Sequence, residues 1–202
     1  MMKLFTEKQP LLIRCGGSYE DKFAQARAVY TYMFTHPGKK LNFMGNEIGQ
    51  LREWDENKSC DWFLLDYPMH DAFNHLFQDL GALYVENDAF WKDDYDPSSF
   101  EWVNADDTNH NMFSFLRKGS NKDYLVILNF STNHYDAQQF GVVNAGTYKE
   151  VLNTQWAKYN GNYTDDHPQK CQAVRLSRNG KPYMIQCNVP SLGATVFEVE
   201  KK

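Results

Sequence analysis

The sequence predicts an α+β fold: a helical first portion carrying one short strand, followed by an all-β antiparallel sandwich. Three observations lead there. Apolar residues recur at helical spacing in two runs, Phe23 to Phe34 and Met69 to Tyr84. Between them lies a short apolar stretch of strand type, Leu41 to Met44, which ends in Gly45. From about Phe100 the texture changes to short runs rich in β-branched and aromatic residues, separated by turn signals, with no helical pattern between them. The chain accordingly divides into residues 1–90, a linker at 91–99 and a β-rich portion at 100–202.

Residues 1–17 have weak periodicity and end in Gly16-Gly17, which reads as a loop or lead-in. Ser18 with Asp21 three residues on is a short form of the helix-capping pattern. Phe23, Ala26, Tyr30, Met33 and Phe34 then line one side of a helix. His36-Pro37-Gly38 stops it, because Pro37 disfavours helical geometry at His36 and Gly38 permits a reversal. The strand Leu41 to Met44 comes next. Asp66 is placed to cap a second helix with Pro68 in its first turn, and Asn87-Asp88 to end it. The acidic run Lys92-Asp93-Asp94-Tyr95-Asp96-Pro97 is the linker. The expected β strands are 100–103, 112–117, 124–130, 138–142, 146–152, 173–176, 183–189 and 195–199. Asn179-Gly180 marks a hairpin, and Tyr124 to Leu128, apolar on both faces, is expected to be a central strand.

Composition excludes several classes of function. With 42% hydrophobic and 15% aromatic residues among 202, the chain has ample core material. A net charge of -5 leaves no broad basic field, so neither nucleic acid nor an anionic membrane surface is an expected partner. No run approaches the roughly 18 apolar residues of a membrane helix, and MMKLFTEKQP lacks the apolar centre of a signal peptide, so the expected location is cytoplasmic. Cys15, Cys60, Cys171 and Cys187 are scattered, contain no C-x-x-C pair and are expected to be reduced. The six histidines show no zinc-type spacing. No metal and no cofactor is expected.

The chemically suggestive stretch is Leu41 to Trp62. A strand that ends in glycine and opens at once onto Asn46, Glu47, Gln50, Arg52 and Glu53 has the pattern of a buried strand reaching an active-site rim. Trp54 and Trp62 add flat rings beside the carboxylates of Glu53 and Asp61. Rings next to carboxylates suit a sugar, with its apolar ring faces and hydroxyl edges. The plainer alternative is an ordinary strand-to-helix loop, with the tryptophans packed beneath it. Trp156, Tyr159 and Tyr163 similarly read as either a sugar-binding surface or edge cover. A lone parallel strand between two helices is not a closed fold, since its backbone groups lack strand neighbours.

The run HPGKKLNFMGNEIGQLREWDENKSCDWFLLDYPMH resembles the end of the catalytic barrel of 1,4-α-glucan (glycogen) branching enzymes of the α-amylase superfamily. FEWVNADDTNHNMFSFLRKG resembles the start of their C-terminal β domain, and YKEVLNT and VPSLGATVFEV its later strands. The resemblance implies that residues 1–90 are the C-terminal end of a (β/α)8 barrel, with Leu41 to Gly45 its last strand and the flanking helices its last two. The implied substrate is an α-glucan such as glycogen or an amylose-like chain. Enzymes of this family cut an α-1,4 bond with retention and pass the chain to a 6-hydroxyl. That chemistry needs two carboxyl groups about 5 Å apart. The family's catalytic carboxylates follow the fourth and fifth barrel strands, and a histidine-aspartate pair follows the seventh. All of these would precede Met1. The expectation is therefore a chain without catalytic residues, whose Asn46, Glu47, Trp54, Asp61 and Trp62 contribute to substrate binding at the barrel rim. The alternative is a non-catalytic glucan-binding or interaction module derived from such an enzyme.

Overall fold

The computed structural model describes residues 10–163 and 167–201. A single helical turn, α1 (Leu11–Arg14), replaces part of the expected lead-in loop and buries Leu12. Helix α2 (Tyr19–Thr35) starts on a full capping box: the Ser18 Oγ accepts the Asp21 N–H at 3.1 Å, and Asp21 Oδ2 accepts the Ser18 N–H at 3.0 Å. It ends at His36, ahead of Pro37 as expected. Helix α3 (Pro68–Glu86) has Pro68 at its first position, but Tyr67 rather than Asp66 is its N-cap. Proline forces extended backbone on the residue before it, so the helix cannot begin earlier. Asp66 instead closes a 3-10 turn, Trp62–Asp66.

Among the described residues eight antiparallel strands follow: β1 (Phe100–Asp107), β2 (Met112–Lys118), β3 (Lys122–Asn129), β4 (Tyr135–Val142), β5 (Thr147–Asn153), β6 (Lys170–Gln172), β7 (Tyr183–Val189) and β8 (Gly193–Glu200). Six form one sheet in the order β1-β2-β3-β8-β5-β6, and β4 with β7 forms the second. Seven of the eight expected strands are present at nearly their expected positions. Residues 173–176 are different: pairing to β5 ends at Gln172, and the chain crosses toward the smaller sheet through a single bridge from Val174 to Met184. Asn179 (φ 49°) and Gly180 (φ 71°) form the two-residue turn that Asn-Gly favours, closed by the Arg178–Lys181 bridge.

Strand β3 is central and covered on both faces. Tyr124, Val126 and Leu128 join a core with Phe23, Ala26, Phe73, Leu76 and Phe77 from the helices. Leu125 and Ile127 point the other way, into a second core with Phe140, Ile185, Val189 and Phe197 between the two sheets. The large sheet is thus the middle layer, with helices on one side and the small sheet on the other. Among the described residues no helix is long and apolar enough to cross a membrane.

The expected strand at Leu41–Met44 does not form. The segment has no ladder partner, and its side chains face outward: Leu41 is 73% exposed and Phe43 46%. The physical reason is the one that made a lone strand suspect, since every ladder among the described residues is antiparallel and lies beyond residue 99. No barrel is closed among the described residues.

Candidate functional site

The rim stretch is shaped by two glycines in left-handed backbone. Gly45 (φ 82°) and Gly49 (φ 62°) flank a 3-10 turn at Asn46–Ile48. A side chain at Gly45 would meet Gln50, whose Cβ lies 2.8 Å from the position of an added Cβ. Gln50 is itself buried, and its Oε1 accepts the Asp61 N–H at 3.0 Å, tying the two ends of the loop together. From below, the α3 residues His70 and Asn74 hold the turn. His70 Nδ1 lies 2.7 Å from the Ile48 carbonyl, and Asn74 Nδ2 donates to the Glu47 carbonyl at 3.1 Å. His70 is buried against the Phe23 ring, 4.9 Å between centroids.

Above the turn lies an open cleft of about 310 Å³. Asn46 and Trp54 line it with Arg52, Glu53, Phe43, Tyr30 and Arg14. Trp54 stands edge-on to Phe43 at 5.3 Å. The other three sequence-predicted residues lie outside this lining. Glu47 accepts from Asn42 Nδ2 at 3.1 Å; Asp61 is clamped by Arg52, whose Nε lies 2.9 Å from both its carboxylate oxygens. Trp62 opens the next turn with 52% of its surface exposed. The site therefore combines rings, the amides of Asn46 and Gln50, the guanidiniums of Arg14 and Arg52, and one carboxylate, Glu53, within a shallow polar hollow. That set can hold a polyol through ring stacking and hydrogen bonds.

Arg14 and His70 are contributors that the sequence pattern did not reveal. Arg14 lies in a stretch with weak periodicity, and a histidine in an apolar helical stripe carries no signal of its hydrogen bond to Ile48. On the sandwich side, Trp156 and Tyr159 are buried, so the sugar-binding reading of those two rings does not hold. They pack into the core shared with the helices. The four cysteines are unpaired, with burial raising the thiol pKa of Cys15, Cys171 and Cys187.

The arrangement of an antiparallel sandwich docked on two helices has counterparts among known proteins. Residues 102–200 match the family described as alpha amylase, C-terminal all-beta domain, which the antiparallel β-rich portion resembles. Over nearly its whole length the chain matches the C-terminal portion of 1,4-alpha-glucan branching enzymes. It is 36% identical over 197 residues to the 1,4-alpha-glucan branching enzyme GlgB of Geobacillus stearothermophilus, covering 96% of this chain and 31% of that protein. The GlgB of Prochlorococcus marinus (strain MIT 9515) is also 36% identical, with 26% of its length covered. The chain thus spans about a third or less of the relatives it matches. In fold it is similar to a debranching enzyme from Nostoc punctiforme, with a TM-score of 0.64 over 97% of this chain and 34% of that one, at 12% identity.

Proposed function

We propose that this chain is the C-terminal part of a 1,4-α-glucan branching enzyme of glycogen biosynthesis, and that it contributes glucan binding without catalysis. Residues 1–90 correspond to the end of the (β/α)8 barrel, 91–99 to a linker and 100–202 to the C-terminal sandwich. In a complete barrel Leu41–Gly45 takes its place as the last strand, between neighbours that other parts of the barrel supply. The carrying observation is the exposed apolar segment Leu41, Phe43 and Met44, which leads straight into the cleft with Asn46 and Trp54. A large outward-facing apolar run is expected where further structure packs.

Within the rim, Trp54 offers a ring face for a glucose unit, while Asn46 and Glu53 offer hydrogen-bonding groups for its hydroxyls. Glu47, Asp61 and Trp62 shape the rim beside them. Retaining transfer needs an acid and a nucleophile about 5 Å apart. Asp61 is committed to Arg52, which makes it a poor member of such a pair. The chain is assigned to the cytoplasm, with an α-glucan as its ligand.

Affinity electrophoresis in glycogen tests the binding, and iodine staining of amylose incubated with the chain tests the chemistry. The expected result is retarded migration, reduced in Trp54→Ala, with unchanged iodine colour. Migration unaffected by glycogen would overturn the binding role. A colour shift produced by the chain alone would overturn the assignment of catalysis elsewhere.

A further inference from the structure

We propose that the buried ion pair between Arg117 and Asp94 is a positioning device through which the sandwich sets the placement of the rim. The inference rests on the rim reading and adds the residues that hold it in place. Arg117 sits on β2, wholly buried. Its Nη2 donates to Asp94 Oδ1 at 2.6 Å, and its Nη1 donates to the carbonyl of Thr35, the last residue of α2, at 3.1 Å. The other oxygen of Asp94 accepts the Gly38 N–H at 3.1 Å. One guanidinium on the sandwich therefore fixes a carbonyl before His36-Pro37 and, through a linker carboxylate, an amide after it.

These contacts matter because the backbone just beyond Gly38 has little else to direct it. Leu41, Asn42 and Phe43 belong to no ladder, and the next backbone bond fixing the path is that of Asn46 N–H to the Phe43 carbonyl. The rim turn is held from the far side by His70 and Asn74. On the near side it is held by the Arg117–Asp94 pair, with Lys40 Nζ donating to the His36 carbonyl at 2.5 Å beside it. A buried ion pair is a poor source of stability compared with apolar packing, and its best-attested use is to specify geometry. An apolar pair at these positions could fill the space but could not hold a carbonyl and an amide at fixed points.

Hydrogen exchange and glycogen electrophoresis on the full chain separate the two ideas. Asp94→Asn and Asp94→Ala are expected to speed exchange of the hydrogen-bonded amides of Gly38 and Asn46 by about tenfold or more, leaving β3 and the centre of α3 unchanged. Asp94→Glu, which restores the charge, is expected to recover much of the protection and of the glycogen retardation lost in Asp94→Asn. If Asp94→Ala does not fold, the isosteric Asp94→Asn decides alone. Exchange of the Gly38 and Asn46 amides that stays at the wild-type rate, or rises equally in β3 and α3, would overturn the positioning role. Wild-type migration insensitive to glycogen would instead overturn the rim reading, while the exchange pattern still decides the role of the pair.

Discussion

Arg27 and Glu150 are ionisable side chains of opposite sign, each buried without a counter-charge among the described residues. Arg27 is 2% exposed; its Nη2 donates to Gln155 Oε1 at 3.1 Å, but among the described residues its Nε and Nη1 have no partner. Burial pushes its guanidinium down to about 10. An uncompensated charge of this kind costs stability, whereas its aliphatic stem packs usefully. Arg27→Met keeps the stem, and Gln155 Oε1 still accepts the Asn162 N–H at 3.2 Å. The variant is expected to match the wild type or exceed it by about 1–3 kcal/mol in urea unfolding. Glu150 accepts from Asn153 Nδ2 and from Gln169 N and Nε2, yet burial dominates and raises its carboxyl above its usual range. The folded chain therefore holds this proton more tightly than the unfolded one. The associated stability is fully present below the unfolded value of 4.5 and is lost as pH rises through the raised folded value. Urea midpoints of wild type and Glu150→Gln, measured from about pH 4 to neutrality, are expected to show the wild type losing ground to the variant as pH rises.

At the scale of elements, legibility followed local chemistry. Helix α2 could be read from Ser18, Asp21 and the Phe23–Phe34 spacing because capping and amphipathic packing are both local, and both are present. Strand β3 could be read as central because Tyr124 to Leu128 is apolar on both faces, and the fold covers both. Three elements escaped for physical reasons of different kinds. Tyr67 displaced Asp66 as N-cap because a proline's constraint on its predecessor outweighs a favourable capping side chain. Val174 to Leu176 has strand composition, but at that point the chain leaves one sheet for the other, a change of direction that composition does not encode. Leu41 to Met44 has the residues of a strand without the neighbours of one. Strand formation is a property of pairs, so a single sequence run cannot guarantee it. Of the five residues expected at the rim, Asn46 and Trp54 line one cleft, while Asp61 lies outside it because Arg52, close to it in the loop, claims its carboxylate.

For the whole molecule, the helices and the large sheet share one core. Phe73 touches Phe23, Tyr30 and Phe77 within a cluster that also contains Tyr124, Val126 and Val196. The sequence marks a change of texture near residue 90, yet packing is continuous across it. Phe73→Ala is expected to cost about 3–5 kcal/mol. Its helical signal by far-UV circular dichroism and its tertiary signal by near-UV should fall in one coincident transition. A helical transition that precedes the tertiary one would show that the two portions unfold separately. The strand order carries a further consequence for biogenesis. Strand β3 pairs on one side with β2, its neighbour in the chain, but on the other with β8, from Lys122 opposite Glu200 to Asn129 opposite Gly193. The middle of the large sheet therefore stays half-paired until β8 has emerged from the ribosome, so during synthesis the helices must wait against an incomplete surface. Premature termination before Gly193 would leave the apolar edge of β3 as a target for chaperones rather than produce a shorter folded protein.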